Sequence, residues 1–238
     1  MLSKLISKLV NKWLNNTHLL FYPYTCFICE QPAHQALDLC TACQQELPLK
    51  QTCCTICDIE LTASNTICGR CLKSPPYYDK VFTLYLYQQS ARYLVHALKF
   101  QSKHQCARII GSLMAKKFKQ HQLKPDAVIA VPLHPKRLRQ RGFNQAEEIA
   151  RYIHQAANIP ILNQQLKRTI NTVNQSSLTA AERQKNIRGA FLFEPQSKAD
   201  FIAIIDDVVT TGSTANEIAK VLKKAGIKRV EIWAFARA

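Results

Sequence analysis

The sequence predicts an α/β protein, a parallel sheet with helices on both faces, preceded by a small cysteine-rich module. Three observations carry this: apolar strand-like runs that do not alternate, amphipathic stretches between them, and a repeated cysteine pattern that ends at Cys71. A sheet with one wet face would alternate apolar and polar residues, whereas strands covered on both faces need apolar side chains on both.

The runs come in a regular order. Lys80 to Tyr87 reads as a strand, Ser90 to Lys99 and His104 to His121 as helices, and Ala127 to Val131 as a short buried strand ahead of Pro132. Gln145 to Ala157 is an amphipathic helix with Ile149 and Ile153 inward. Phe201 to Ile205 is a second buried strand, Thr214 to Ala225 a helix, and Arg229 to Phe235 a final strand. In such sheets ligands bind beyond the carboxyl ends of the strands. Ahead of this region, Leu2, Leu5, Ile6, Leu9 and Trp13 share one helical face, with lysines opposite. An amphipathic helix over residues 1–21 suits packing on its own protein or contact with a membrane surface.

The cysteine pattern is a repeat. Cys26, Cys29, Cys40 and Cys43 recur 28 residues later as Cys54, Cys57, Cys68 and Cys71. Zinc takes four thiolates in a tetrahedron, and each C-x2-C turn supplies two of them. Two structural zinc ions therefore fit, by sequential or by cross-braced pairing. Cys53 is out of register and Cys106 stands alone, which suits spare or buried thiols. Pro75-Pro76 closes the segment as a linker.

Compartment and charge narrow the function. The first residues, MLSKLISKLVNKW, carry Lys4, Lys8 and Lys12 in every apolar run an export signal would need. No stretch approaches the roughly 20 apolar residues of a membrane span. A reducing, cytoplasmic setting follows, where paired cysteines point to metal rather than disulfides. The 238 residues carry 32 Lys and Arg against 16 Asp and Glu, a formal +16. Two four-thiolate zinc sites would lower this to about +12. Such a chain favours phosphorylated or polyanionic partners.

Phe201 to Thr214 reads FIAIIDDVVTTGST. A buried strand ends in two carboxylates, followed by a turn of small hydroxyl residues around Gly212 and then a helix. Backbone N–H groups of such a loop and helix N-terminus attract phosphate. Thr210, Thr211, Ser213 and Thr214 add hydroxyl donors, and Gly212 allows close approach. Asp206 and Asp207, ionised by exposure at the strand end, would accept hydrogen bonds from two neighbouring hydroxyls of a ribose. Val131 to Glu147 adds His134, Lys136, Arg137, Arg139 and Arg141 after a predicted strand, then Asn144 and Gln145 where a helix begins. Arginine forks match the oxygens of a pyrophosphate leaving group. Arg168 to Phe191 suits a mobile loop closing over a substrate, with Arg168, Thr172, Gln175, Arg183 and Asn186 as candidates to reach it.

The acidic strand end and its loop resemble the phosphoribosyl-pyrophosphate signature of the type I phosphoribosyltransferases. That resemblance implies a type I phosphoribosyltransferase-like sheet, Asp206 and Asp207 on the ribose hydroxyls, and Thr210 to Thr214 around the 5-phosphate. A wider set of motifs resembles the ComF family, including its GntX-like members. These are the paired CxxC knuckles, Leu98-Lys99-Phe100, VPL…RGFNQ, R…T..Q…R..N..GAF and IIDDVVTTGST. The family implies a double zinc ribbon, here residues 22–74, fused to a phosphoribosyltransferase-like domain, here 77–238. It also implies a cytoplasmic role in handling imported single-stranded DNA, alongside DNA-uptake proteins.

The function expected is binding of phosphoribosyl pyrophosphate or a related sugar phosphate in DNA uptake or utilisation. If catalytic, the protein transfers ribose 5-phosphate with release of pyrophosphate, magnesium bridging pyrophosphate and ribose oxygens. The alternatives are a non-catalytic module binding single-stranded DNA or a partner, with the pocket as sensor, and a nucleobase salvage enzyme. Tyr77, Tyr78, Tyr85 and Tyr87 read as core rather than as a stacking platform.

Overall fold

Apolar runs without alternation become a parallel sheet, and the backbone pairing shows where each run stops. The computed structural model describes residues 24–33, 37–62, 66–120, 124–170 and 187–238. The expected helix over 1–21 and the candidates Thr172, Gln175, Arg183 and Asn186 lie outside them. In chain order the elements are α1 (Thr41–Gln45), α2 (Gly69–Lys73), β1 (Lys80–Leu86), α3 (Gln89–Gln101), α4 (His104–Phe118), β2 (Ala127–Ala130), α5 (Pro135–Arg141), α6 (Gln145–Ala157), β3 (Leu166–Arg168), β4 (Phe191–Phe193), β5 (Phe201–Val209), α7 (Ser213–Lys224) and β6 (Arg229–Arg237). Two compact units contain them, one ending at Leu47 and one running from Pro48 to Ala238.

The cysteine repeat is also a repeat of backbone. In the first unit Thr25 pairs with Pro32, Glu30 takes a positive φ of 62°, and α1 follows Cys40. In the second unit Cys53 pairs with Glu60, Asp58 takes a φ of 58°, and α2 follows Cys68. Cys53 thus stands where the first copy has Thr25. It is a bridge position, which is why it falls out of register with the ligand cysteines.

Among the described residues the main sheet has four strands, all parallel, in the order β1-β6-β5-β2. The central strands β5 and β6 are buried almost throughout. Trp233 and Phe235 are among the largest fully buried side chains, and Phe118 of α4 stacks on Trp233 at 4.0 Å between centroids. Helices α4 and α6 approach closely at Gly111, where an added Cβ would lie 2.6 Å from Tyr152 Cβ. Ile149 and Ile153 of α6 are fully buried, as their spacing predicts. Cys106 is buried within α4.

Three boundaries differ from the sequence reading for physical reasons. β5 runs past Ile205 to Val209, because Asp206, Val208 and Val209 continue the ladder with Ala234, Ala236 and Arg237 of β6. Backbone pairing does not depend on side-chain polarity. β6 runs on to Arg237, whose buried guanidinium donates to the carbonyls of Cys57 and Val209. The basic stretch after β2 is a short helix, α5, rather than a loop. Pro135 opens it, His134 Nδ1 accepts from Lys136 N at 3.2 Å, and Gly142 closes it in the left-handed region. No helix among the described residues is long and apolar enough to cross a membrane.

Candidate functional site

The extension of β5 decides the site. Asp206 and Asp207 are the sixth and seventh residues of a nine-residue strand. Their carboxylates lie near its carboxyl end, close enough to interact directly. Asp207 is buried at 1% exposure and Asp206 is half-buried. The expectation that exposure keeps both ionised is overturned. Burial and then the neighbouring Asp207 charge push the Asp206 carboxyl well above the ordinary carboxylate range, against the pull of Lys99. Lys99, near the end of α3, places Nζ 2.7 Å from Asp207 Oδ2. Burial opposes the Lys99 charge, but Asp207 and then Asp206 outweigh it and raise its pKa.

After Val209 the chain turns through Thr210, Thr211 and Gly212 into α7. Gly212 adopts φ +76° as the residue capping α7, a conformation a side chain disfavours. With no side chain it supplies no cap, and Thr214 and Ala215 in the first turn of this 12-residue helix line a cavity with the helix dipole behind them. Thr211 Oγ1 and Ser213 Oγ lie 2.8 Å apart, and Ser213 N donates to Thr211 Oγ1 at 3.3 Å.

A cavity of about 270 Å³ gathers these groups. Its lining includes Asp206, Asp207, Thr210, Thr211, Gly212, Ser213 and Thr214, together with Arg141, Gln145 and Arg168. Arg141 donates to Gln145 Oε1 at 2.7 Å, so the end of α5 and the start of α6 present one unit. Burial lowers the Arg141 pKa, partly countered by Asp207. Burial, with the like charge of Arg137 added, pushes Arg168 down to about 10, and Asp206 pulls the other way. Arg168 therefore remains a cation at neutral pH, near enough to the acidic pair to feel its charge.

Two expected residues are not in the lining. Arg139 is exposed on α5 away from the cavity. Asn144 is buried and holds the fold: its Nδ2 donates to Val131 O at 3.1 Å and its Oδ1 caps Ala146 N. Lining residues beyond the predicted set include Lys99, Arg137 and Tyr87. Lys99 carries a signal in sequence, as the cation of Leu98-Lys99-Phe100 following the buried Leu94, Val95 and Leu98 on one helix. Arg137 is one of five basic residues with nothing to single it out. Of the four tyrosines, Tyr78 is core, Tyr77 is exposed, and Tyr87 faces the cavity.

The cysteines form two four-thiol groups by sequential pairing, Cys26, Cys29, Cys40, Cys43 and Cys54, Cys57, Cys68, Cys71. Within each group the ligand atoms all lie within 4.8 Å of one another. Zn–S bonds of about 2.3 Å in a tetrahedron set sulfurs about 3.8 Å apart. Cys29 and Cys40 lie at 3.7 Å, and Cys57 and Cys68 at 3.6 Å. In each quartet one thiol, Cys26 or Cys54, falls to about 6, because backbone N–H groups outweigh burial. Cys43 and Cys71 are pushed far up by burial and then by their neighbours. A divalent cation at the centre removes that conflict, so the groups fit zinc. No third cluster of three or more metal-ligating side chains exists among the described residues, so the acidic pair is not by itself a resident metal site.

Comparison with known proteins matches both the cysteine groups and the region of the cavity. A double zinc ribbon domain model matches residues 18–72, and a phosphoribosyl transferase domain model matches 96–238. The chain is 37% identical to Competence protein F of Haemophilus influenzae over 179 residues, 71% of this chain and 78% of that one. It is 31% identical to the DNA utilization protein YhgH of Salmonella typhimurium over 226 residues, covering 92% of this chain and 99% of the relative. A solved glutamine phosphoribosylpyrophosphate amidotransferase from B. subtilis aligns at 18% identity and a TM-score of 0.37, over 55% of this chain and 26% of its own.

Proposed function

The chain belongs to the ComF family, with a phosphoribosyl transferase domain behind a double zinc ribbon, and we propose that it binds phosphoribosyl pyrophosphate and acts in DNA uptake or utilisation. One observation carries the pocket reading. A single cavity joins the acidic pair, a helix N-terminus that begins on Gly212 and three arginines. Polyhydroxylated sugars, monoesters and pyrophosphates need those three kinds of partner.

In this reading Asp206 and Asp207 accept from the ribose hydroxyls. The N–H groups and hydroxyls of Thr210 to Thr214 hold the 5-phosphate. Arg137, Arg141 and Arg168 face the pyrophosphate, and Gln145 keeps Arg141 in place. Gln175 remains a candidate for the covering loop. In transfer, an acceptor attacks C1 of the ribose, the C1–O bond breaks, and pyrophosphate leaves with the electron pair. Magnesium carried by the substrate would supply charge neutralisation of its phosphates. The protein contributes position and field, since no covalent nucleophile is required.

The test is calorimetric titration with phosphoribosyl pyrophosphate and magnesium. Wild type should bind, and the Asp206→Asn, Asp207→Asn double variant should bind at least about 100-fold more weakly, two charge-assisted hydrogen bonds being worth about 3 kcal/mol or more. Equal affinity in both proteins removes the reading. Pyrophosphate release with a panel of acceptors then separates enzyme from sensor.

A second reading draws on one further observation. Phe100 is 66% exposed at the cavity rim, with the Arg141 guanidinium 5.9 Å from its ring. An exposed ring among cations suits base stacking and a single-stranded backbone. Binding of an oligothymidine that weakens steeply with salt, and that Phe100→Ala reduces, would favour it.

A further inference from the structure

The second tetracysteine centre and the phosphate loop share two arginines. Arg70 lies in α2 between the ligands Cys68 and Cys71, and its NH1 donates to Thr211 O at 3.0 Å. Arg237 ends β6, and its Nε donates to Cys57 O at 3.1 Å. The same guanidinium donates through NH1 to Val209 O at 2.8 Å and to Thr210 O. Three successive carbonyls of the loop are therefore held by cations, one rooted in the metal centre and one tied to a ligand residue of it.

This has a direct consequence for the N–H groups. In a planar trans peptide the N–H points opposite to the C=O. With the carbonyls of Val209, Thr210 and Thr211 turned toward the arginines, the N–H groups of Thr210, Thr211 and Gly212 point the other way. Those are the donors a bound phosphate needs. A cavity of about 380 Å³, lined in part by Arg70, Tyr78, Thr211 and Gly212, lies behind the loop. The hydrogen bonds from Arg70 and Arg237 reach the loop on that side.

We propose that the second tetracysteine centre shapes the phosphate loop, with Arg70 as the positioning residue that transmits its order to Thr211. The proposal rests on the reading of the loop as a phosphate site. It assigns the centre a role beyond stapling its own segment: metal bound by Cys54, Cys57, Cys68 and Cys71 fixes α2, α2 fixes Arg70, and Arg70 turns the loop. Arg70 is exposed, though its guanidinium also meets the ligand Cys57, so zinc content is followed in every variant; the buried Arg237 is a poorer place to cut.

The experiment compares wild type, Arg70→Ala and Arg70→Lys by zinc content, amide hydrogen exchange without ligand, and titration with ribose 5-phosphate. Arg70→Ala should keep its full zinc, exchange faster at residues 210–213 only, and bind ribose 5-phosphate about tenfold more weakly, the worth of one charge-assisted hydrogen bond. Arg70→Lys should recover part of both changes. Unchanged exchange at 210–213 in Arg70→Ala overturns the proposal while leaving the pocket reading intact. Zinc loss from Arg70→Ala also overturns it, because the arginine would then serve the metal site. Wild type that ignores ribose 5-phosphate sinks the pocket reading and the proposed effect on affinity; the exchange measurement still decides the coupling on its own.

Discussion

Two places in the larger unit crowd groups that ionise to the same sign: the quartet Cys54, Cys57, Cys68, Cys71, and the pair Asp206, Asp207. The quartet resolves its conflict by geometry. Two knuckle turns and a short helix aim four thiols at one point, where a single dication serves all of them. The pair cannot do this. Two carboxylates are too few to enclose an ion, and they border an open cavity rather than a closed centre. Asp207 takes Lys99, and Asp206 keeps a raised pKa beside Arg168 and the open cavity. Crowding that closes on one point makes a structural metal site. Crowding that stays open leaves unsatisfied capacity, which is what a ligand site requires.

The largest expected effect tests the converging half. Structural zinc in small modules contributes apparent free energies of about 10 kcal/mol or more. Cys54→Ser, or a strong chelator, should therefore unfold the second ribbon. The loss should extend beyond it, because Thr83 N and Oγ1 both donate to Asp58 Oδ2 at 2.7 Å and Arg237 reaches Cys57 O. Thermal unfolding monitored with zinc release should show one lowered transition for the larger unit. A chelated protein melting where wild type melts would end the comparison.

The next effect tests the open half. Lys99→Met leaves a carboxylate buried without its cation, which costs about 3–5 kcal/mol. Adding Asp207→Asn should return much of that loss, since both charges are then gone. Urea unfolding of the two single variants and the double variant gives the coupling directly. Additive losses would show that the 2.7 Å pair does not hold the site together.

The two regions also differ in how far the amino-acid sequence alone makes them legible. The quartets are legible except for their pairing, which only the structure fixes as sequential: the 28-residue offset reproduces two bridges, two left-handed residues and two helices. Local turns repeat because local sequence repeats. The acidic strand and its loop are legible as a motif, but their ionisation is not. Burial of Asp207 and its pairing with Lys99 arise from α3 lying against the carboxyl end of β5, a contact between residues far apart in the chain that no local pattern encodes. β6 hides its charges in the same way. Glu231 is fully buried, with Arg229 and Trp233 Nε1 on its carboxylate, inside what reads as an apolar strand. Helix α5 is within reach of the sequence, since Pro135 and Gly142 bracket it in the expected asymmetry, but the density of basic residues between them reads more readily as loop.

The smallest effect separates the regions by sign. Asp206 has a folded pKa above its ordinary 3.8. Between that value and the raised one, the native state holds a proton that the unfolded chain releases. Its contribution to stability is therefore full below the unfolded value and is lost as pH rises through the folded one. The slope is at most about 1.4 kcal/mol per pH unit for one proton. A metal centre behaves oppositely, because its ligands must lose protons to bind, and acid strips it. The two trends overlap in wild type, so the difference between wild type and Asp206→Asn isolates the carboxyl. From about pH 4 upward, wild type should lose stability relative to the variant in urea unfolding, with zinc content matched at each pH. Parallel curves would mean that Asp206 titrates like an ordinary surface carboxylate, and that the strand end holds no reserve of unmet charge for a ligand to use.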